Sequence, residues 1–366
     1  MAFRSRCYPD ISKGQWNDWQ WQQRNLVLSL AQIEAIAALS DQERSAIAQR
    51  RDSLPLGLTP YYASLIEDHP GGAIRRTVLP VLQEFVAGPG ESRDPLSEDH
   101  QSPVPGIVHR YPNRVLFLVT ALCATYCRYC TRSRVVGNFT DYHFNRAQWQ
   151  TALNYVRENP QIHDVLLSGG DPLVLPDREL DWLLGQLEEI PHVEWIRIGT
   201  KAPAVLPHRI TPELCRILMR DKAVWMSVHF THPSELTPEA QQACHRLSCS
   251  GVPLMSQTVL LAGVNDDAEL LGQLFRGLVG SRVRPYYLYQ CDPVTGTAHF
   301  RTSLARSLDI LRQLQLRLSG YAIPTFVVDA PGGGGKVRLL PNSLIRRDDS
   351  AVLLEDYRGN IFRYPD

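Results

Sequence analysis

Between residues 106 and 315, short apolar runs alternate with longer amphipathic ones, and this alternation is the tightest constraint on the fold. The candidate strands are 115–120, 165–168, 195–199, 224–228, 257–261 and 284–289. Stretches with apolar residues at helical spacing follow them at 146–159, 178–189, 212–220, 238–250, 267–278 and 303–318. Parallel neighbours need a crossover between them, so six βα units in series imply a parallel sheet. The expected class is α/β, either an open barrel or a doubly wound sheet. Residues 1–105 read as an N-terminal helical region, with amphipathic stretches from Trp16 and from Leu30 to Arg51. The Gly- and Pro-rich segments 87–95 and 102–106 read as a linker or clamp over the barrel. Residues 316–366 form a short C-terminal extension with a strand at 325–328, a glycine run and a β-rich tail.

In a barrel of this kind the chemistry sits at the C-terminal ends of the strands. The polar clusters fall there. Three cysteines follow the first strand, Ser168, Gly169, Gly170 and Asp171 end the second, His229 ends the fourth and Asp292 follows the sixth.

Lys plus Arg equals Asp plus Glu at 38 each, which argues against the basic stripe of a nucleic-acid partner. Apolar runs such as 115–119 fall far short of the ~20 residues of a membrane span. The first residues lack an apolar signal core, so a cytoplasmic protein is expected. Of eight cysteines, Cys7, Cys215, Cys244, Cys249 and Cys291 are scattered, which is no disulfide framework. The tight trio Cys123, Cys127 and Cys130 instead points to metal or redox chemistry. Thiolates spaced C-x3-C-x2-C suit three corners of an iron–sulfur cubane and leave one iron open. The alternatives are a zinc site, which usually takes four protein ligands, or three buried apolar cysteines. Near the other end, Gly332 to Gly335 precede Lys336. Val337 after the lysine breaks the phosphate-loop pattern. A lysine on a flexible loop suits covalent attachment of an aldehyde cofactor, and the alternative is a solvated loop lysine.

The cysteine motif, with the aromatic Tyr129 before its last cysteine, resembles that of the radical S-adenosylmethionine superfamily. Ser168, Gly169, Gly170 and Asp171 resemble that superfamily's glycine–glycine–acid element. The run PGGGGK after Val327, Val328 and Asp329 is similar to the pyridoxal phosphate loop of the lysine 2,3-aminomutase family. Segments 16–21, 102–112, 209–214, 284–292 and 299–302 resemble the same family, so the likeness runs from about residue 12 into the tail.

The resemblance implies a partial (βα)6 TIM-like barrel of the radical S-adenosylmethionine type and an isomerase, an aminomutase that moves the α-amino group of free L-lysine to the β-carbon. Its cofactors would be a [4Fe–4S] cluster on Cys123, Cys127 and Cys130, S-adenosylmethionine, and pyridoxal 5′-phosphate held covalently by Lys336. Arg110, Tyr111, Arg114 and Tyr289 would bind pyridoxal phosphate. Ser168, Gly169, Gly170, Asp171, His229 and Gln257 would bind S-adenosylmethionine. Arg132 would take the substrate carboxylate, and Asp292 with Asp329 its distal ammonium. The implied partners are a small amino acid and an electron donor such as flavodoxin or ferredoxin, with a homo-oligomer left open. Longer family members carry late cysteines that bind a structural zinc between subunits. No cysteine follows Cys291 here, so no such zinc is expected. The same chemistry on arginine, or on a lysine of elongation factor P, is the near alternative. An iron–sulfur or zinc binding module without aminomutase activity is the distant one.

Overall fold

The computed structural model describes residues 2–49, 54–67, 69, 71–138, 142, 144–340, 343–347, 351–356 and 358–365. Nine strands among them form one sheet in sequence order. They are β1 (Ile107–Tyr111), β2 (Arg114–Thr120), β3 (Asp164–Gly169), β4 (Trp195–Thr200), β5 (Ala223–His229), β6 (Leu254–Leu260), β7 (Arg284–Gln290), β8 (Thr325–Ala330) and β9 (Gly335–Arg338). Strands β2 to β8 are parallel, and the hairpin strands β1 and β9 run antiparallel at the two edges. The sheet curls into a nearly closed barrel. The crossover helices are α1 (Arg146–Glu158), α2 (Asp177–Glu188), α3 (Pro212–Leu218), α4 (Pro238–Cys249), α5 (Ala268–Gly280) and α6 (Leu304–Arg317). Each of α1, α3, α4, α5 and α6 starts at an Asn, Thr, Asp or Ser whose side chain accepts a first-turn backbone N–H. In α1, Trp149, Ala152, Leu153 and Val156 repeat at helical spacing and are buried against the sheet.

Strand alternation then divides the molecule. Val115, Phe117 and Val119, Val165 and Leu167, and Ile196 and Ile198 are buried in the core. The alternate residues Arg114, Asp164, Ser168, Arg197, His229, Gln257, Tyr287, Tyr289 and Asp329 line a cavity of about 450 Å³ inside the curl. Closed barrels fill that space with branched aliphatic side chains. Here charged and polar side chains stand inward beside apolar ones such as Leu116, Leu166 and Val259, so the interior is a site and most of the hydrophobic core lies outside it.

Local structure departs from the sequence reading in three places. The stretch from Leu30 is two helices, Leu30–Glu34 and Asp41–Gln49, because Ser40 and Glu43 form a capping box that starts a new helix. The end of that stretch, at Arg50 and Arg51, lies outside the described residues. Strand β1, hidden by its polar His109 and Arg110, sits on the sheet edge and turns back through Pro112 and Asn113. Lys336 stands on β9, its backbone in register with Asp329 of β8, where the sequence suggested a flexible loop.

The N-terminal region packs on the loop after β2. Arg128 is buried there, with Nε donating to both Glu84 carboxylate oxygens at 3.1 Å and Nη1 to the Leu54 and Pro55 carbonyls. The C-terminal residues form a separate antiparallel sheet, β10 (Leu344–Arg347), β11 (Ala351–Glu355) and β12 (Ile361–Pro365). No helix among the described residues is long and apolar enough to cross a membrane. Replacing Glu84 by Ala leaves the Arg128 charge buried without its partner, so a loss of about 3–5 kcal/mol is expected. Thermal melting of the anaerobic protein checks it.

Candidate active site

The cysteine loop leaves β2 at Thr120 and is pinned from outside the barrel. The Tyr126 N–H donates to the Gly57 carbonyl and the Arg128 N–H to the Thr77 carbonyl, each at 2.9 Å. A turn from Cys130 N–H to the Cys127 carbonyl brings the last two cysteines together. Cys123 and Cys130 pack beside Leu54, Tyr126 and Val136. Burial pushes all three thiols up, Cys130 to about 11, and the neighbouring cysteines add to the effect at Cys123 and Cys130. Three thiols that resist ionising together fit a cationic cluster, which supplies the charge that thiolates need. Among the described residues no three His, Cys, Asp or Glu side chains are set to hold a single metal ion, these cysteines included. Three buried thiols on one loop are a donor set that suits thiolate ligation of an iron–sulfur cluster.

The glycine pair that ends β3 presses on the same loop. Gly170 N–H donates to the Thr120 carbonyl at 2.6 Å and Asp171 N–H to that of Leu122 at 2.7 Å. A Cβ on Gly170 would stand 2.0 Å from the Leu122 carbonyl oxygen, so only glycine fits. Ser168 lines the cavity, whereas Gly169, Gly170 and Asp171 do not. The buried Asp171 carboxylate accepts from the Thr200 hydroxyl at 2.6 Å, Lys201 N–H at 2.8 Å and Leu173 N–H at 3.0 Å. Its side chain therefore joins the ends of β3 and β4.

The other expected residues converge. Arg110, Tyr111, Arg114, Arg132, Ser168, His229, Gln257, Tyr289, Asp292, Asp329 and Lys336 all line the one cavity. Lys336 Nζ donates to both Asp329 oxygens at 3.0 and 3.1 Å and lies 5.2 Å from the centre of the Tyr289 ring. Its backbone N–H donates to the Tyr111 hydroxyl at 2.9 Å, and the Arg114 guanidinium stacks 3.7 Å from the Tyr111 ring centre. Arg110 reaches the Leu96 carbonyl at 2.6 Å and the Gln101 side chain at 2.7 Å. A lysine amine fixed beside an aromatic ring, with two guanidinium groups around Tyr111, is a donor set that fits a phosphorylated aldehyde. His229 and Gln257 are register partners on β5 and β6. Burial first, then Lys201 and Arg132, push His229 down to about 4, so it is neutral near pH 7. Asp292 accepts from the Thr131 hydroxyl at 3.0 Å. Burial and then the Asp329 charge push its carboxyl up to about 7.

Sequence reasoning missed several members of this region. Glu98 pairs with Arg132 at 2.7 Å, and burial works against its charge while Arg132 and Arg134 hold its carboxyl below the usual range. Under the cysteines, Lys201 pairs with the fully buried Glu235 at 2.6 Å, and Tyr62 donates to the same carboxylate. For Glu98, Lys201 and Glu235 the only signal in the sequence is charge that must find a partner once buried. Tyr129, the aromatic of the cysteine motif, shares a hydrogen bond with Thr231.

A three-cysteine loop over the mouth of an open parallel barrel, with a glycine pair wedged against it, defines a radical S-adenosylmethionine enzyme. Residues 117–272 match the family model described as Radical SAM superfamily, and residues 311–366 match that described as Lysine-2,3-aminomutase. The chain is 44% identical over its whole length to an L-lysine 2,3-aminomutase of Acetoanaerobium sticklandii, covering 88% of that protein. It is 45% identical over 99% of its length to one from Clostridium subterminale, covering 87% of it. It is also 39% identical over 96% of its length to a glutamate 2,3-aminomutase of Clostridioides difficile, covering 83% of it. The chain belongs to the lysine 2,3-aminomutase family, whose cofactors are a [4Fe–4S] cluster, S-adenosylmethionine and pyridoxal phosphate.

Replacing Gly170 by Ala forces the β3 turn and the cysteine loop apart, at a strain of about 1–3 kcal/mol or more. The expected outcome is a folded protein that binds less iron and sulfide per chain after anaerobic reconstitution, read by chemical iron and sulfide assay.

Proposed function

We propose that this protein moves the α-amino group of free L-lysine to its β-carbon, giving β-lysine. The observation that carries the reading is the carboxylate pair Asp292 and Asp329 in the cavity, one of which already holds an alkylammonium, that of Lys336, at 3.0 Å. A lysine substrate brings one carboxylate and one remote cation, and each needs a partner once out of water. Arg132 takes the carboxylate, and Asp292 with Asp329 takes the ammonium. Glutamate would instead bring a third negative charge to that pair, which selects against it.

When bound, the cluster with S-adenosylmethionine supplies hydrogen-atom abstraction, and pyridoxal phosphate supplies a place for the unpaired electron beside the migrating nitrogen. The protein's own residues do the holding. Cys123, Cys127 and Cys130 carry the cluster. Ser168, Gly169, Gly170, Asp171, His229 and Gln257 shape the S-adenosylmethionine site, with Asp171 acting through the strand ends it joins. Lys336 supplies the amine that binds the cofactor aldehyde. Arg110, Tyr111 and Arg114 take its phosphate, and Tyr289 walls its ring. The nearly closed barrel keeps water from the reacting carbon and the partners in reach of one another. An electron donor of the flavodoxin or ferredoxin type and a cytoplasmic setting belong to the same proposal. So does a homo-oligomer, which the exposed Leu344, Ile345, Ile361, Phe362 and Tyr364 of the C-terminal sheet support.

The test is anaerobic reconstitution with iron, sulfide and pyridoxal phosphate, followed by S-adenosylmethionine, a reductant and a panel of lysine, arginine, ornithine and glutamate, with products read by mass spectrometry. β-Lysine is expected, and is lost in Cys127→Ala and in Lys336→Ala. Isomerisation of arginine alone would overturn the substrate while keeping the chemistry.

A pH dependence follows from Asp292. Its carboxyl, raised to about 7 in a setting shared with Asp329, Lys336, Glu98 and Thr131, is protonated below that pH and cannot then pair with an ammonium. The substrate ammonium stays charged throughout. The KM for lysine is therefore expected to rise as pH falls through about 7 and to level off above it. Asp292→Asn should raise KM by roughly tenfold or more, the loss of a charged hydrogen bond, and flatten that profile.

A further inference from the structure

Arg132 has five N–H donors arranged as two forks. Glu98 occupies one of them. Its Oε1 lies 2.7 Å from Nη2 and 3.2 Å from Nε, and its Oε2 lies 3.1 Å from Nε. The described contact on the other side is a long one of 3.4 Å from Nη1 to the Ser168 hydroxyl, at the cavity wall. Glu98 is itself 3% exposed and firmly held. Its backbone N–H donates to Asp94 at 3.1 Å, its carbonyl accepts from the Ser102 hydroxyl at 2.8 Å, and Arg134 braces the same carboxylate at 3.4 Å while pairing with Asp99 at 2.9 Å. The surrounding strap is tied to the cofactor end of the cavity as well. Arg110 donates to the Leu96 carbonyl and to Gln101, and Gly332 N–H donates to the Pro95 carbonyl at 3.1 Å.

We infer that Glu98 is a positioning residue: it clamps the Nε/Nη2 fork of Arg132 so that the Nη1/Nη2 fork faces the cavity, ready for a substrate carboxylate. A guanidinium presents both bonds of a fork only when its plane is fixed, so the strap sets recognition of the carboxylate end without touching the substrate. The inference rests on the assignment of Arg132 to the substrate carboxylate.

The experiment compares lysine with lysinamide, which lacks the carboxylate, in the reconstituted holoenzyme and in its Glu98→Gln and Glu98→Asp variants. The native enzyme is expected to favour lysine strongly. In E98Q the KM for lysine should rise about tenfold or more, the loss of one charge-assisted bond, with kcat changed little and lysinamide kinetics unmoved. E98D, which keeps the charge on a shorter arm, should recover part of the preference, and it carries the same test if E98Q does not fold. Absorbance of bound pyridoxal phosphate and iron content confirm that each variant is loaded. Equal losses toward lysine and lysinamide, or a fall in kcat at unchanged KM, would overturn the positioning role. A native enzyme indifferent between the two amino acids would overturn the Arg132 assignment beneath it.

Discussion

A barrel that carries charged side chains in its interior has to neutralise them. Unpaired, each costs several kcal/mol, more than a protein of ordinary stability can tolerate repeatedly. The pairs found here join separate parts of the chain. Arg197 on β4 meets Asp164 on β3, Lys336 on β9 meets Asp329 on β8, Arg132 after the cysteines meets Glu98 of the strap, and Lys201 after β4 meets Glu235 after β5. Outside the barrel, Arg128 and Arg75 are held in the same way by Glu84 and Glu43. The architecture and the site are thus fixed largely by one set of interactions, since the barrel pairs and Arg128–Glu84 both close the fold and orient a group at the cavity or the cluster loop.

Asp292 is the exception that gives the site its direction. It has a hydroxyl partner in Thr131 and a like charge in Asp329, so burial lifts its carboxyl to about 7. A carboxyl in that condition is stabilised by an arriving cation more than one already paired would be. The neighbouring β9 hairpin shows how the arrangement is kept stiff. Gly332, Gly333 and Gly335 take φ values of 71°, 85° and 82°, in the left-handed region, and the turn they make returns the chain so that Lys336 lies opposite Asp329. A lysine set on a strand gives up fewer alternatives than one on a free loop when it must find one aldehyde.

How much of this the sequence carried depended on whether the signal was local. The cysteine spacing, the strand–helix alternation and the run before Lys336 are contiguous patterns, and the structure has elements at those places. The two-helix break after Glu34 was readable too, from Ser40 and Glu43, but apolar spacing through Ile33, Ile36 and Ala37 masked it. Glu98 was not readable. It sits between two Gly- and Pro-rich segments, and its burial is decided by arginines 34 and 36 residues further on. Asp171 looks like a ligand by its place in a motif. Only the three-dimensional neighbours Thr200 and Lys201 reveal that its oxygens are already engaged.

These long-range dependencies bear on how one barrel can serve different amino acids. In the proposed reading, Arg132 oriented by Glu98 takes the end that every α-amino acid shares, and Asp292 with Asp329 takes the end that differs. The two sets come from different parts of the chain: the strap and cysteine loop on one side, the ends of β7 and β8 on the other. They meet at Thr131, next in sequence to Arg132, which donates to Asp292. Changing the charge preference of the distal end requires new residues after β7 and on β8, yet those residues must still satisfy Thr131 and Lys336. Without the cofactor, Asp329 is the acceptor that Lys336 Nζ holds, and Asp292 is the acceptor of the Thr131 hydroxyl, so a replacement lacking a side-chain oxygen at either position removes that partner. The distal pair is thus a coupled set, since each carboxylate also serves a second partner on the chain.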